Sequence, residues 1–207
     1  QRLRTGQGQH IDISMTDGAL LMNAMAATTA LVAGEDVDAE STWINGGGLY
    51  DYYQTADGRW LSVGALEPKF FAMFLQAIER PDLEDLFMTL GEQARPLKEA
   101  VSAAIGARDL AHWLTVFDAL PCCVEAVLRP TEAIASELFA ARGMVVDVPL
   151  PEGGSQRQLG NPIKLSESPA RYDHASVEPG ANGDAVLQAC GLERAEIAAL
   201  RVAGVFG

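Results

Sequence analysis

The chain has 207 residues, 48% hydrophobic and 21% charged, which fits a globular protein with one large domain or two small ones and a core of useful size. Acidic residues outnumber basic ones 28 to 15, a formal charge of -13. That balance excludes a nucleic-acid surface and counts against this chain alone holding the phosphates of a nucleotide, because both rely on clustered Lys and Arg. The most apolar run, residues 19–33, is too short to span a bilayer and is interrupted by Asn23, Thr28 and Thr29, so no membrane partner is expected. No signal-peptide pattern opens the chain. It starts on Gln1 rather than Met, and the expectation is either a removed start or part of a longer protein. Cys122, Cys123 and Cys190 are odd in number and lack zinc-like spacing, which reads as reduced thiols in a cytoplasmic protein without a metal site.

In chain order, residues 1–9 are polar and contain Gly6 and Gly8, but a dinucleotide fingerprint would need a strand before them and a third glycine where Ile11 stands. Residues 10–14 alternate weakly and predict a short strand. A helix is predicted over residues 16–32, presenting Leu20, Leu21, Met25 and Leu31 and ending at Gly34. Residues 35–41 are an acidic linker and a candidate boundary. The triplet Gly46-Gly47-Gly48 follows, open to backbone conformations closed to other residues.

Residues 49–55 and 60–66 are rich in Tyr, Trp, Leu and Val. Asp57-Gly58 between them predicts a hairpin, since Gly accepts positive φ without steric cost. The second strand runs into Glu67-Pro68, where Pro suits the first turn of a helix and Glu67 faces the positive end of its dipole. Phe70, Phe71, Phe74, Leu75 and Ile78 recur at helical spacing. Further helices are predicted over residues 91–105 and from an Asp109 N-cap, with Leu110, Trp113, Leu114 and Phe117 on one face. Residues 122–128 and 144–150 read as strands, and 131–142 as one or two short helices. Residues 151–182, rich in Pro, Gly and Ser, read as an extended segment with one strand at 162–165, followed by two short terminal helices over 183–190 and 193–203. No internal repeat or low-complexity tract is present.

Several stretches carry a resemblance. These are G-G-x-x-x-Y at Gly47 to Tyr52, T-A-D-G-R at Thr55 to Arg59, V-G-A-L-E-P-K-F-F at Val63 to Phe71 and R-P-D-L at Arg80 to Leu83. R-T-G-x-G-Q at Arg4 to Gln9, C-V-x-x-V-L at Cys123 to Leu128 and E-I-A-A-L-R-x-A-G-V at Glu196 to Val205 extend the match in order along nearly the whole chain. In this pattern the chain resembles the class III CoA-transferase (CaiB/BaiF) family, in particular its α-methylacyl-CoA racemase branch. The resemblance implies an α/β fold that is part of a larger interlocked two-domain assembly. Residues 1–40 would contribute a strand and linking helix to the large domain, 41–150 the small α/β domain, and 151–207 an extended return with C-terminal helices packed on the large domain. It also implies an acyl-CoA thioester substrate, an interlocked homodimer, and no cofactor beyond the coenzyme A of the substrate.

Glu67 is the residue most open to a chemical role. Read from spacing alone it is a helix-start carboxylate; the resemblance implies that it hydrogen-bonds a catalytic histidine, fixing its tautomer. Inverting the carbon next to a thioester needs one group to remove the α-proton and another to return a proton to the opposite face. In the family these are a His and an Asp in motifs upstream of R-T-G-x-G-Q, and His10, His112 and His174 do not fall at the family's His position. Asp12 and Asp17 also follow the place of its catalytic Asp. Gly46, Gly47, Gly48, Tyr50 and Leu66 are the candidates for lining the acyl chain. Plain readings stand beside them, a flexible turn for the glycines and a packed strand aromatic for Tyr50. No G-x-S-x-G elbow or thiol catalytic pattern is present, and Cys122 and Cys123 read as buried, inert thiols. The rival readings are CoA transfer between carboxylic acids and a non-catalytic dimerisation module of the same fold.

Overall fold

A computed structural model describes residues 1–205, which divide into two compact units that part after Val127. In the first unit, helices α1 (Arg2–Thr5), α2 (Met15–Met22) and α3 (Ala24–Ala33) precede a hairpin of β1 (Asp51–Gln54) and β2 (Trp60–Val63). Helix α4 (Pro68–Ala77), a 3-10 turn at Pro81–Leu86, α5 (Arg95–Gly106) and α6 (Leu110–Phe117) lead to β3 (Val124–Ala126). The three strands form one antiparallel sheet in the order β1-β2-β3, with Tyr53 opposite Leu61 and Leu61 opposite Ala126.

Side-chain alternation gives this sheet one dry face. Tyr53, Leu61, Val63 and Val124 turn inward, while Tyr52 and Trp60 remain exposed on the other side. The helices cover the dry face through rows at helical spacing: Phe71, Phe74 and Leu75 from α4, Leu97, Val101 and Ile105 from α5, and Trp113 and Phe117 from α6. The Phe74 and Phe117 rings stack with centroids 6.0 Å apart, and Trp113 Nε1 donates to the Ile105 carbonyl at 2.9 Å, so the buried indole leaves no unpaired donor.

The hairpin tip is tied to the start of α6. Thr55 Oγ1 and the Leu110 amide both donate to Asp57 Oδ1, and the Ala56 amide donates to the Arg108 carbonyl at 2.8 Å. The Thr55 hydrogen bond, chiefly, holds the Asp57 carboxyl below its ordinary range. Asp109 caps α6 as expected, accepting from the His112 amide.

The second unit contains α7 (Pro130–Ala135), α8 (Glu137–Ala141), a hairpin of β4 (Val145–Pro149) and β5 (Ser155–Leu159), then α9 (Gly183–Ala189) and α10 (Arg194–Val202). Gly153 and Gly154 turn this hairpin with φ of 98° and 81°. The Ala175 amide donates to the Pro149 carbonyl at 2.9 Å, bringing the return segment back to β4. Arg201 reaches Asp184 at 2.6 Å and joins α10 to α9.

Several expectations need correction. Residues 10–14 form no strand: Ile11 and Ile13 are exposed, with no neighbouring strand to pair with. The long helix over 16–32 is broken at Asn23, whose amide closes α2 onto Leu20 and Leu21. Residues 162–165 are not a strand, whereas the polar segment Ser155–Leu159 is one, paired to β4 from end to end. The strands β4 and β5 form a two-stranded sheet of their own, within the second compact unit.

Candidate active site

Glu67 occupies the junction the sequence predicts. It sits just past the end of β2 with φ -88° and ψ 143°, extended, and is the N-cap of α4, with Pro68 in the first turn. Its backbone carbonyl accepts from the Phe70 and Phe71 amides, both at 2.9 Å, so the main chain starts the helix. The side chain takes no part: it makes no capping hydrogen bond and is exposed. The backbone of Glu67 is thus fixed while its carboxylate faces solvent.

Leu66 and Tyr50 lie at the same end of the sheet. The Gly64 amide donates to the Cys123 carbonyl at 2.8 Å, continuing the β2–β3 ladder, and the Leu66 amide turns back onto the Gly64 carbonyl. A side chain at Gly64 would meet the Tyr50 ring at 3.2 Å, so its absence is what lets this ring lie against the strand. Leu66 is half-buried and Tyr50 is 39% exposed.

The glycine triplet is a packed turn. Gly46, Gly47 and Gly48 are all buried, and Gly46 has φ 92°. A Cβ on Gly47 would lie 2.6 Å from the Thr42 carbonyl oxygen and 2.8 Å from that of Glu40; one on Gly48 would lie 2.9 Å from the Thr89 carbonyl oxygen. Hydrogen bonds hold the turn: the Gly47 amide to the Thr42 carbonyl at 3.0 Å, and the Gly91 amide to the Gly47 carbonyl at 2.9 Å. Asn45 braces the preceding loop, accepting from the Thr42 amide and donating to the Asp38 carbonyl. The plain reading of a flexible turn is therefore corrected: these glycines allow backbone to approach backbone.

Lys98 is a residue that sequence reasoning missed, and one of the two adjacent thiols departs from its expected burial. The half-buried Lys98 ammonium donates to the Gly46 carbonyl and pairs with Asp51 at 2.8 Å, with Glu40 3.8 Å away. Cys122 is buried as expected, and burial pushes its thiol above the ordinary range. The expectation of a buried thiol fails for Cys123, which is exposed between buried Cys122 and Val124, just before β3, and adopts φ 59°, rare for a non-glycine.

The void at Leu66, Ala65, Trp43, Leu49 and Phe71 is about 10 Å³, close to the minimum for one water. A far larger, open groove of about 910 Å³ runs between the start of α3 and the loop through Trp43 and Ile44, without Glu67 in its lining. His10, His112 and His174 are exposed. Among the described residues no group of three or more His, Cys, Asp or Glu is placed to hold a metal ion, and no helix is long and apolar enough to cross a membrane.

A three-stranded antiparallel sheet covered on one face by helices, with the exposed Glu67 carboxylate where a strand gives way to a helix, defines a small α/β unit. The chain belongs to CoA-transferase family III, whose model matches residues 1–185. Mouse alpha-methylacyl-CoA racemase is 31% identical over 136 residues, 65% of this chain and 35% of the relative. The human enzyme of the same name is 26% identical over 70% of this chain and 38% of the relative. Acetyl-CoA:oxalate CoA-transferase of Acetobacter aceti is 29% identical over 87% and 45%. The chain thus spans less than half of the length of these relatives. A CaiB/BaiF family protein from Brucella suis shares the fold with a TM-score of 0.68 at 22% identity, covering 91% of this chain and 50% of that one.

Proposed function

We propose that this chain is the C-terminal part of an acyl-CoA racemase that inverts 2-methylacyl-CoA thioesters by 1,1-proton transfer through an enolate. One acid/base group takes the α-proton, the electron pair moves onto the thioester oxygen, and a second group returns a proton to the opposite face, so reactant and product differ only in configuration. Glu67 serves as the positioning carboxylate for the histidine of that pair, fixing its tautomer; the histidine and the aspartate lie in segments upstream of those present here. The observation that carries this reading is the exposed, uncapped Glu67 carboxylate inside V-G-A-L-E-P-K-F-F, in a chain whose relatives include two α-methylacyl-CoA racemases. Residues 1–40 and 151–207 belong with the large domain, Gly46, Gly47, Gly48, Tyr50 and Leu66 border the acyl chain, and the enzyme is an interlocked cytoplasmic homodimer needing no cofactor beyond substrate CoA.

A second reading, CoA transfer between carboxylic acids, draws on the similarity to the oxalate CoA-transferase, which covers more of this chain than the racemases do. Incubating the complete enzyme with one stereoisomer of a 2-methylacyl-CoA in deuterium oxide separates the two. Racemisation with α-deuterium uptake in the absence of any carboxylate acceptor supports the racemase. Turnover that requires an acceptor and leaves the α-carbon unexchanged overturns it. The 207 residues alone are expected to catalyse no α-exchange.

A further inference from the structure

Of the carbonyl oxygens of the glycine turn, that of Gly47 is held by a backbone amide and that of Gly46 by a cation. The Gly46 carbonyl accepts from Lys98 Nζ, and the same ammonium is ion-paired with Asp51 Oδ2 at 2.8 Å. Three pieces of chain meet at it: the turn, the first residue of β1 and the second turn of α5. Lys98 and Asp51 side chains are 24% and 29% exposed, so this pair is more shielded than the ion pairs Arg95 makes with Glu92 and Glu99 on the surface of α5. The Asp51 carboxylate is itself fixed, since its Oδ1 accepts from the Tyr52 amide at 2.8 Å. A hydrogen bond from an ammonium to a carbonyl is stronger than a neutral one and gains further where water is excluded. The remaining bonds of the turn, from Gly47 to Thr42 and from Gly91 to Gly47, join neutral backbone groups.

We propose that Lys98 is a positioning residue for the substrate: it sets the Gly46–Gly48 turn, and through that turn the surface against which the acyl group rests. The second half of this statement depends on the function proposed above; the first half does not. Lys98 contacts no reacting atom and acts through the backbone it holds. Replacing it by methionine keeps the length of the side chain and most of its packing while deleting the charge and the donor. Arginine restores the charge.

Two measurements test the proposal. In the 207-residue chain, hydrogen exchange of the Gly47 and Gly91 amides should accelerate about ten-fold or more in Lys98→Met relative to amides of the sheet core, the scale expected when a hydrogen bond to a charged group is lost. Unchanged protection at both amides overturns the clasp. In the complete enzyme, Lys98→Met should raise KM for the acyl thioester about ten-fold with little change in kcat, and Lys98→Arg should recover most of the loss. Faster exchange with an unaltered KM overturns the link to the acyl group while leaving the clasp in place. Should the complete enzyme lack thioester chemistry altogether, the proposed function fails, and the exchange data still decide whether Lys98 holds the turn. Asp51→Asn, which removes the partner carboxylate without touching α5, guards against a misfolded Lys98 variant and should reproduce the same pair of changes more weakly.

Discussion

Substituting alanine for Gly47 asks the sharpest structural question, because it adds a single methyl where three backbone atoms already stand: the Thr42 carbonyl oxygen at 2.6 Å, and the Glu40 carbonyl oxygen and Thr42 amide nitrogen at 2.8 Å. Backbone cannot swing aside as a flexible side chain does, so the turn itself must move. Forced overpacking of this kind costs about 1–3 kcal/mol. Displacing the turn also endangers the Gly47–Thr42 and Gly91–Gly47 hydrogen bonds, at about 1 kcal/mol each. A loss of about 2–4 kcal/mol is a large share of a stability of about 5–15 kcal/mol. With a urea dependence of about 2 kcal/mol per molar, the unfolding midpoint should fall by about 1–2 M. Gly58→Ala is the control: it also occupies a turn, with φ 72°, but its nearest neighbour is the end of the Gln54 side chain at 3.9 Å. Only the left-handed backbone cost of about 1–2 kcal/mol applies there. Urea titrations in which Gly47→Ala is no worse than Gly58→Ala would refute the packed-turn reading.

Two further predictions concern titratable groups. Asp57 accepts from Thr55 and the Leu110 amide, which lower its pKa in the folded chain, so its contribution to stability is complete above the unfolded carboxyl value and is lost as pH falls through the lower folded one. Asp57→Asn should lower the melting temperature at neutral pH and make the decline below about pH 4 shallower; an unchanged acid limb would count against this bond network. For the thiols, a disulfide reagent should label Cys123 and Cys190 in the folded chain and Cys122 only after unfolding, since the first two are exposed and the third is buried. Rapid reaction of Cys122 in the native state would contradict its burial beside β3.

Much of the first unit was legible in the sequence because local chemistry and packing agree there. Asp57-Gly58 marks the hairpin, Pro68 fixes the start of α4, and the rows through Phe74, Val101 and Trp113 are the faces that meet the sheet. Readings that failed lack such agreement. Ile11 and Ile13 alternate like a strand but have no strand beside them, and β5 carries no apolar face, so only its backbone ladder and the Gly153-Gly154 turn reveal it. At the candidate site, the position of Glu67 follows from strand and helix signals alone. What holds the glycine turn does not, because Lys98 lies 52 residues from Gly46 and long-range pairing leaves no mark in local spacing. Cys123 escaped for a related reason, since a run of apolar residues conceals which of two adjacent thiols faces outward.

The account stands or falls on whether the side chain at position 67 supports proton transfer. The direct measurement is α-deuterium uptake into a 2-methylacyl-CoA by the complete enzyme, with Glu67→Gln compared against the parent protein at equal folded concentration. A histidine deprived of its orienting carboxylate should slow exchange about 100-fold or more. Exchange at the parent rate would contradict the account and leave Glu67 as the N-cap of α4 and nothing more.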